Sequence, residues 1–207
     1  MADIVFSPME EKGMGNPTQG IIDEFNEKRI LIFNTEVDED ILENFVLYIL
    51  KWNAEDNKAG IPAKKRRPIK IYFNSPGGDL FSGHMLMDVI TTSKTPIIGV
   101  AFSLVGSMAY HIYLACPERV AFVNSIFCQH EGDVAISNTS SKVKDIMEFF
   151  NDMDERLKQH ILDHTTMTPE FIAEKEKNEY YMFAQEAKEN GVVHKIIGKD
   201  VTMSYIL

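Results

Sequence analysis

Apolar positions along this chain come in two kinds: short solid runs, and longer stretches spaced three or four residues apart. The runs at 29–33, 69–73 and 95–102 are strand-length, and continuous apolar sequence is what a strand buried on both faces shows. After the first, Val37, Ile41, Leu42, Phe45, Val46, Ile49 and Leu50 recur at helical spacing, with Thr35 placed as a cap. Residues 80–92 read as a second helix facing inward with Leu80, Met85, Val89 and Ile90. Residues 107–116 form a short apolar helix that Pro117 stops. Short strands follow at 119–123 and 126–129. The longest pattern is 141–164, where Val143, Ile146, Met147, Phe150, Met153, Leu157 and Ile161 make one stripe. Thr168 before Pro169 opens another helix, Asn190-Gly191 ends a last one, and 192–197 is a final strand. Strand–helix alternation of this kind predicts an α/β fold of βαβ units. Residues 1–20 read as an irregular or mobile arm, and 21–207 as one domain.

Composition narrows the function classes. The 207 residues carry 21 basic against 31 acidic side chains, a net charge of −10. That argues against a nucleic-acid binder, which needs a basic surface. No apolar run reaches the ~18 residues of a membrane span, and the N-terminus does not read as a secretory signal. Cys116 and Cys128 lack metal-ligand spacing, so a reducing, cytoplasmic setting is expected. The basic run Lys64-Lys65-Arg66-Arg67 fits either an acidic partner or, more simply, a solvated loop.

Three segments could carry chemistry. In Gly106-Ser107-Met108 a serine sits at a strand-to-helix turn, near the positive end of a helix dipole that favours a developing alkoxide. It could equally be an ordinary N-cap. In Asn74-Ser75-Pro76-Gly77-Gly78 two glycines let the backbone approach a bound group and aim N–H donors at it, as an oxyanion hole requires. The same residues also suit a plain βα turn, and they match neither a Walker A loop nor a dinucleotide fingerprint. His130 ends the run Ile126-Phe127-Cys128-Gln129, where a base could stand, though a lone histidine there is commonly structural. His160 and His164 are spaced i,i+4, but with no HExxH pattern and no third ligand no metal or cofactor is expected.

Together, Tyr72-Phe73-Asn74-Ser75-Pro76-Gly77-Gly78, Gly106-Ser107-Met108, Asn124-Ser125 leading to His130, and Glu186-Ala187-Lys188-Glu189-Asn190-Gly191-Val192-Val193 resemble the proteolytic subunit of the Clp protease, in register over roughly 29–197. The resemblance implies a crotonase-like fold with a protruding handle helix at about 141–164. It implies a serine endopeptidase acting on peptides and unfolded proteins. Ser107 falls on its nucleophile, His130 on its base, and the N–H groups of Gly78 and Met108 on its oxyanion hole. It further implies a homo-oligomer, a heptameric ring stacked singly or in pairs, served by an ATP-dependent unfoldase.

The chain also departs from that pattern. The family's catalytic Asp aligns with Glu179, with Glu176 in reserve, and its Asp-Arg ring-linking pair aligns with Lys177-Asn178. Gly132 replaces a proline, and Asp133-Val134-Ala135-Ile136-Ser137-Asn138 replaces a glycine-rich substrate-binding strand. Two alternatives therefore stand beside the peptidase: a catalytically impaired ring subunit, and a crotonase-fold enzyme acting on acyl-CoA thioesters.

Overall fold

The structure, a computed structural model, describes residues 17–132, 136–175 and 178–207. Its frame is a parallel sheet in the order β1 (Ile30–Phe33), β2 (Ile69–Ser75), β3 (Ile97–Gly106), β4 (Glu118–Phe122), β7 (Lys195–Ile197). Two further strands, β5 (Ile126–Gln129) and β6 (Tyr180–Phe183), leave that path: β5 pairs parallel with β3, and β6 antiparallel with β5. The helices are α1 (Pro17–Glu27), α2 (Leu47–Lys58), α3 (Leu80–Thr92), α4 (Met108–Ala115), α5 (Ser140–His164), α6 (Pro169–Lys175) and α7 (Ala184–Glu189).

Strand β3 is longer than its apolar run implies, and its extra length builds the site. Ile98–Ala101 pair with β4, whereas Leu104, Val105 and Gly106 pair with β5. One strand thus serves two ladders, and its end is carried to the side of β5. Helix α4 leaves that end and is buried at all eight positions. A helix apolar on every side belongs in the centre of a domain, and Tyr110, Ile112, Tyr113 and Leu114 anchor the main core there. Arg119 is buried beside it and donates to the carbonyls of Leu114, Cys116, His164, Gly191 and Val192. It thereby satisfies helix-end acceptors of α4 and α5 and of the turn after α7. The other face of the sheet carries a smaller cluster, Ile30, Tyr72, Ile98, Val100, Val120, Ile197 and Ile206, with Phe25 of α1 packed on it.

Five local expectations change. Val37, read as the start of a helix capped by Thr35, forms a parallel bridge with Gly78, and the helix begins only after it, with a π-helical stretch Leu42–Val46 leading into α2. Helix α1 takes in residues 17–20 of the expected arm, while 1–16 lie outside the described residues. The final strand is confined to Lys195–Ile197, and β6 lies where no strand was expected. Arg66 is not solvated: it is buried, donating to the Ile61 carbonyl, Asn57 Oδ1 and Thr95 Oγ1. The long helix matches its expected span within one residue, and Thr168 caps α6 by accepting from the Phe171 N–H at 3.2 Å.

Candidate active site

Ser107 stands at the junction of β3 and α4 with φ 50° and ψ −126°, a left-handed backbone that costs a serine on the order of 1–3 kcal/mol. The surroundings hold it there. Its N–H donates to the Cys128 carbonyl at 2.9 Å, and its own carbonyl accepts from the Tyr110 N–H at 2.9 Å. Gly77 packs directly against it: a Cβ built on Gly77 would lie 2.6 Å from Ser107 Cβ and 2.8 Å from Met108 N.

The second loop is fixed by Val37. Its N–H donates to the Gly77 carbonyl at 2.8 Å, and its carbonyl accepts from the Asp79 N–H at 2.7 Å. A parallel bridge of this register spends Gly77 O and Asp79 N and turns the Gly78 N–H to the opposite side. The Met108 N–H opens α4 and has no partner of its own within the helix. Among the described residues, neither N–H donates to a turn, cap or side chain. The Met108 N–H directly follows Ser107 in the chain, and the Gly78 N–H follows the residue, Gly77, that packs on it.

His130 extends β5, and Ser107 is drawn toward that strand by its bond to Cys128. His130 Nδ1 lies 2.7 Å from the Glu131 carbonyl. A carbonyl can only accept, so Nδ1 carries a proton, and in the neutral ring the lone pair then falls on Nε2. That is the tautomer a general base requires. Glu179 is exposed, and its Oε2 accepts from the Tyr181 hydroxyl at 2.7 Å. Among the described residues, no hydrogen bond joins Ser107 to His130 or His130 to Glu179. Glu176, Lys177 and 133–135 lie outside the described residues.

A cavity of about 290 Å³ opens beside Ser107 and His130, walled by Met108, His111 and, from α5, Met153, Leu157 and Ile161. Burial, reinforced by neighbouring histidines, pushes His111 down to about 3 and His160 to about 4. Both rings are neutral. His160 Nε2 lies 3.0 Å from the His111 carbonyl, and His164 Nδ1 lies 2.9 Å from the His160 carbonyl, so the i,i+4 pair is engaged with main chain. Among the described residues, no three His, Cys, Asp or Glu side chains are grouped to hold a metal ion. Nor is any helix long and apolar enough to cross a membrane.

Sequence reasoning missed Val37, Tyr181 and His111 as neighbours of the site. Val37 and Tyr181 arrive by strand pairings that no local period announces. His111 sits inside an apolar helical run and reads as core.

The model of the Clp protease family matches residues 13–200. The chain belongs to that family. The ATP-dependent Clp protease proteolytic subunit 2 of Corynebacterium glutamicum is 27% identical over 199 residues, covering 95% of this chain and 94% of the relative. Proteolytic subunit 3 of a Synechococcus strain is 28% identical over 174 residues, 82% of each chain. Among solved structures, a point mutant of ClpP1 from Listeria monocytogenes superposes with a TM-score of 0.73 at 23% identity, covering 92% of this chain and 99% of that one. The fold of this Clp-family chain is therefore crotonase-like, and the chain is a serine-type peptidase of the proteolytic-subunit kind. Neither the impaired-subunit reading nor the acyl-CoA reading is favoured over it.

Proposed function

We propose that Ser107, His130 and Glu179 form the catalytic set of this endopeptidase, with the N–H groups of Gly78 and Met108 as oxyanion hole. The observation that carries the reading is Ser107 held at φ 50° where β3 meets α4, packed by Gly77, beside a cavity that His130 also lines. Ser107 Oγ attacks the peptide carbonyl carbon, and its proton passes to His130 Nε2. The C–N bond breaks and the amine leaves with that proton. Water repeats the sequence on the acyl-enzyme and restores Ser107. Glu179 supplies the negative charge that stabilises the imidazolium. Unfolded proteins and peptides are the substrates.

The subunit works as a homo-oligomeric ring, a heptamer, in the cytoplasm. Exposed apolar residues support self-assembly: Leu42, Leu47 and Leu50 along one side, and Phe149 of α5 stacked on Phe81, both exposed. An apolar hollow of about 580 Å³ lined by Phe25, Ile32, Tyr72, Phe102 and Phe122 suits an apolar loop of an ATP-dependent unfoldase.

Peptide hydrolysis and labelling by a serine-reactive fluorophosphonate test the catalytic reading together. The unaltered protein should hydrolyse and label, and Ser107→Ala should do neither. Equal labelling of both would remove Ser107 from its role.

A further inference from the structure

The cavity beside the nucleophile holds a polar group that the proposed mechanism does not use. Ser107 immediately precedes α4 and His111 lies in that helix's first turn, and both line the cavity. Its residue is only 6% exposed, and its ring lines the cavity. Among the described residues its buried Nδ1 has no hydrogen-bond partner. His160, whose ring centre is 6.2 Å away, directs its Nε2 to the main-chain oxygen of His111 and not to the ring. From α5, Met153, Leu157 and Ile161 form one apolar stripe at i, i+4 and i+8 along this wall, with Asn151, Asp154 and Lys158 also lining the cavity.

An unpaired buried polar atom costs on the order of 1–3 kcal/mol, and a leucine or phenylalanine would fill the same place without that cost. A neutral polar ring on the wall of a cavity beside the nucleophile offers an incoming ligand a hydrogen-bonding group. A neutral imidazole offers one N–H donor and one acceptor. The side chain nearest it in a bound peptide is that of the residue whose carbonyl Ser107 attacks, the P1 residue.

We propose that His111 is a specificity-determining residue that hydrogen-bonds a neutral polar P1 side chain, with glutamine fitting best. The proposal rests on the peptidase reading of Ser107. Glutamine can both donate and accept, so either tautomer of the imidazole serves it, and its methylenes lie against the apolar stripe. Methionine is nearly isosteric and lacks the amide.

The experiment uses two fluorogenic peptides identical except for Gln or Met at P1. It compares the Gln-to-Met ratio of kcat/KM in the unaltered protein and in variants. A ratio measured on one preparation does not depend on its active fraction, so partial misfolding cannot imitate the effect. The ratio should fall about tenfold in His111→Phe, which keeps a ring without nitrogens, and likewise in His111→Leu. A site built to bond a polar group discriminates strongly once that partner is lost. His111→Gln should hold the ratio within about threefold of the unaltered value, because it restores a donor and an acceptor. Cleavage of both peptides with a ratio unmoved by His111→Phe or His111→Leu overturns this inference alone. Failure of the unaltered protein to cleave either peptide or to label at Ser107 overturns the peptidase reading and this inference with it.

Discussion

The β5–β6 ladder runs Ile126–Phe183, Phe127–Met182, Cys128–Tyr181 and Gln129–Tyr180, and its register carried one pair past its end sets Glu179 opposite His130. Residues so opposed share a face, with Cβ atoms about 4.5–5.5 Å apart. The longer carboxylate nevertheless takes its hydrogen bond from Tyr181, two residues on along the same face. His130 donates meanwhile to the Glu131 carbonyl. The backbone brings the two residues toward each other, and their side chains take other partners.

Glu179→Gln should lower kcat at least tenfold and leave KM nearly unchanged. Loss of a triad acid costs ~10⁴ in the trypsin case, through both tautomer and imidazolium. Here the Glu131 carbonyl already secures the tautomer, so the loss should stay below that figure. Steady-state kinetics on one peptide decide it. An unchanged kcat would leave a Ser–His pair without an acid.

Gly77→Ala should abolish most hydrolysis and lower the melting temperature. The residue has φ +104°, and an added Cβ would meet Ser107 Cβ at 2.6 Å, the Gly106 oxygen at 2.7 Å and Met108 N at 2.8 Å. The last two are main-chain atoms that cannot swing aside. A loss of hydrolysis greater than about 100-fold is expected, since misplacing reacting groups by an ångström is that costly. Wild-type turnover would show that Ser107 is not held by this contact.

Arg119→Met should destabilise the fold by about 3 kcal/mol or more. The guanidinium is buried and serves five carbonyls, and methionine fills the volume while leaving those acceptors unpaired. Urea denaturation measures it, and a change under about 1 kcal/mol would mean that water replaces the guanidinium.

Much of this was legible in the chain, and the exceptions share a cause. Helices α3 and α5 and strands β1, β2 and β5 follow from local periods. Val37 did not, because its spacing to Ile41 fits a helix while its pairing is to Gly78, far along the chain. Strand β6 hides behind the charged stretch before it, and only its pairing with β5 makes it a strand. Arg66 reads as one of four solvated cations, but Asn57 and Thr95, side-chain acceptors from other segments, claim it. The turns that carry Ser107 and Gly78 were readable because turn chemistry is local. Glu179 came only from the family resemblance, since the register of β5 with β6 is not written in either strand alone.

Stability should fall on mild acidification, between about pH 6.5 and 4.5, before carboxylates titrate. Burial holds His111 near 3 and His160 near 4, and it also lowers His194, whose Nδ1 accepts from the Arg119 N–H at 3.2 Å. In the unfolded chain each takes up a proton near the ordinary histidine value of about 6.5. The folded state binds fewer protons throughout that window, so unfolding is favoured as pH drops. The contribution is therefore fully present above about 6.5 and is lost as pH falls toward the folded values. Each fully neutral histidine adds a slope of up to about 1.4 kcal/mol per pH unit. Asp56 and Glu118, both lowered by basic partners, release their share of stability only at lower pH. His160→Leu should flatten the profile by one such slope without moving the lower limb. Denaturation midpoints at half-unit intervals from pH 7 to 4 make the test. An equally steep profile in His160→Leu would mean that its ring takes up a proton in the fold, and that the burial of His160 does not govern acid sensitivity.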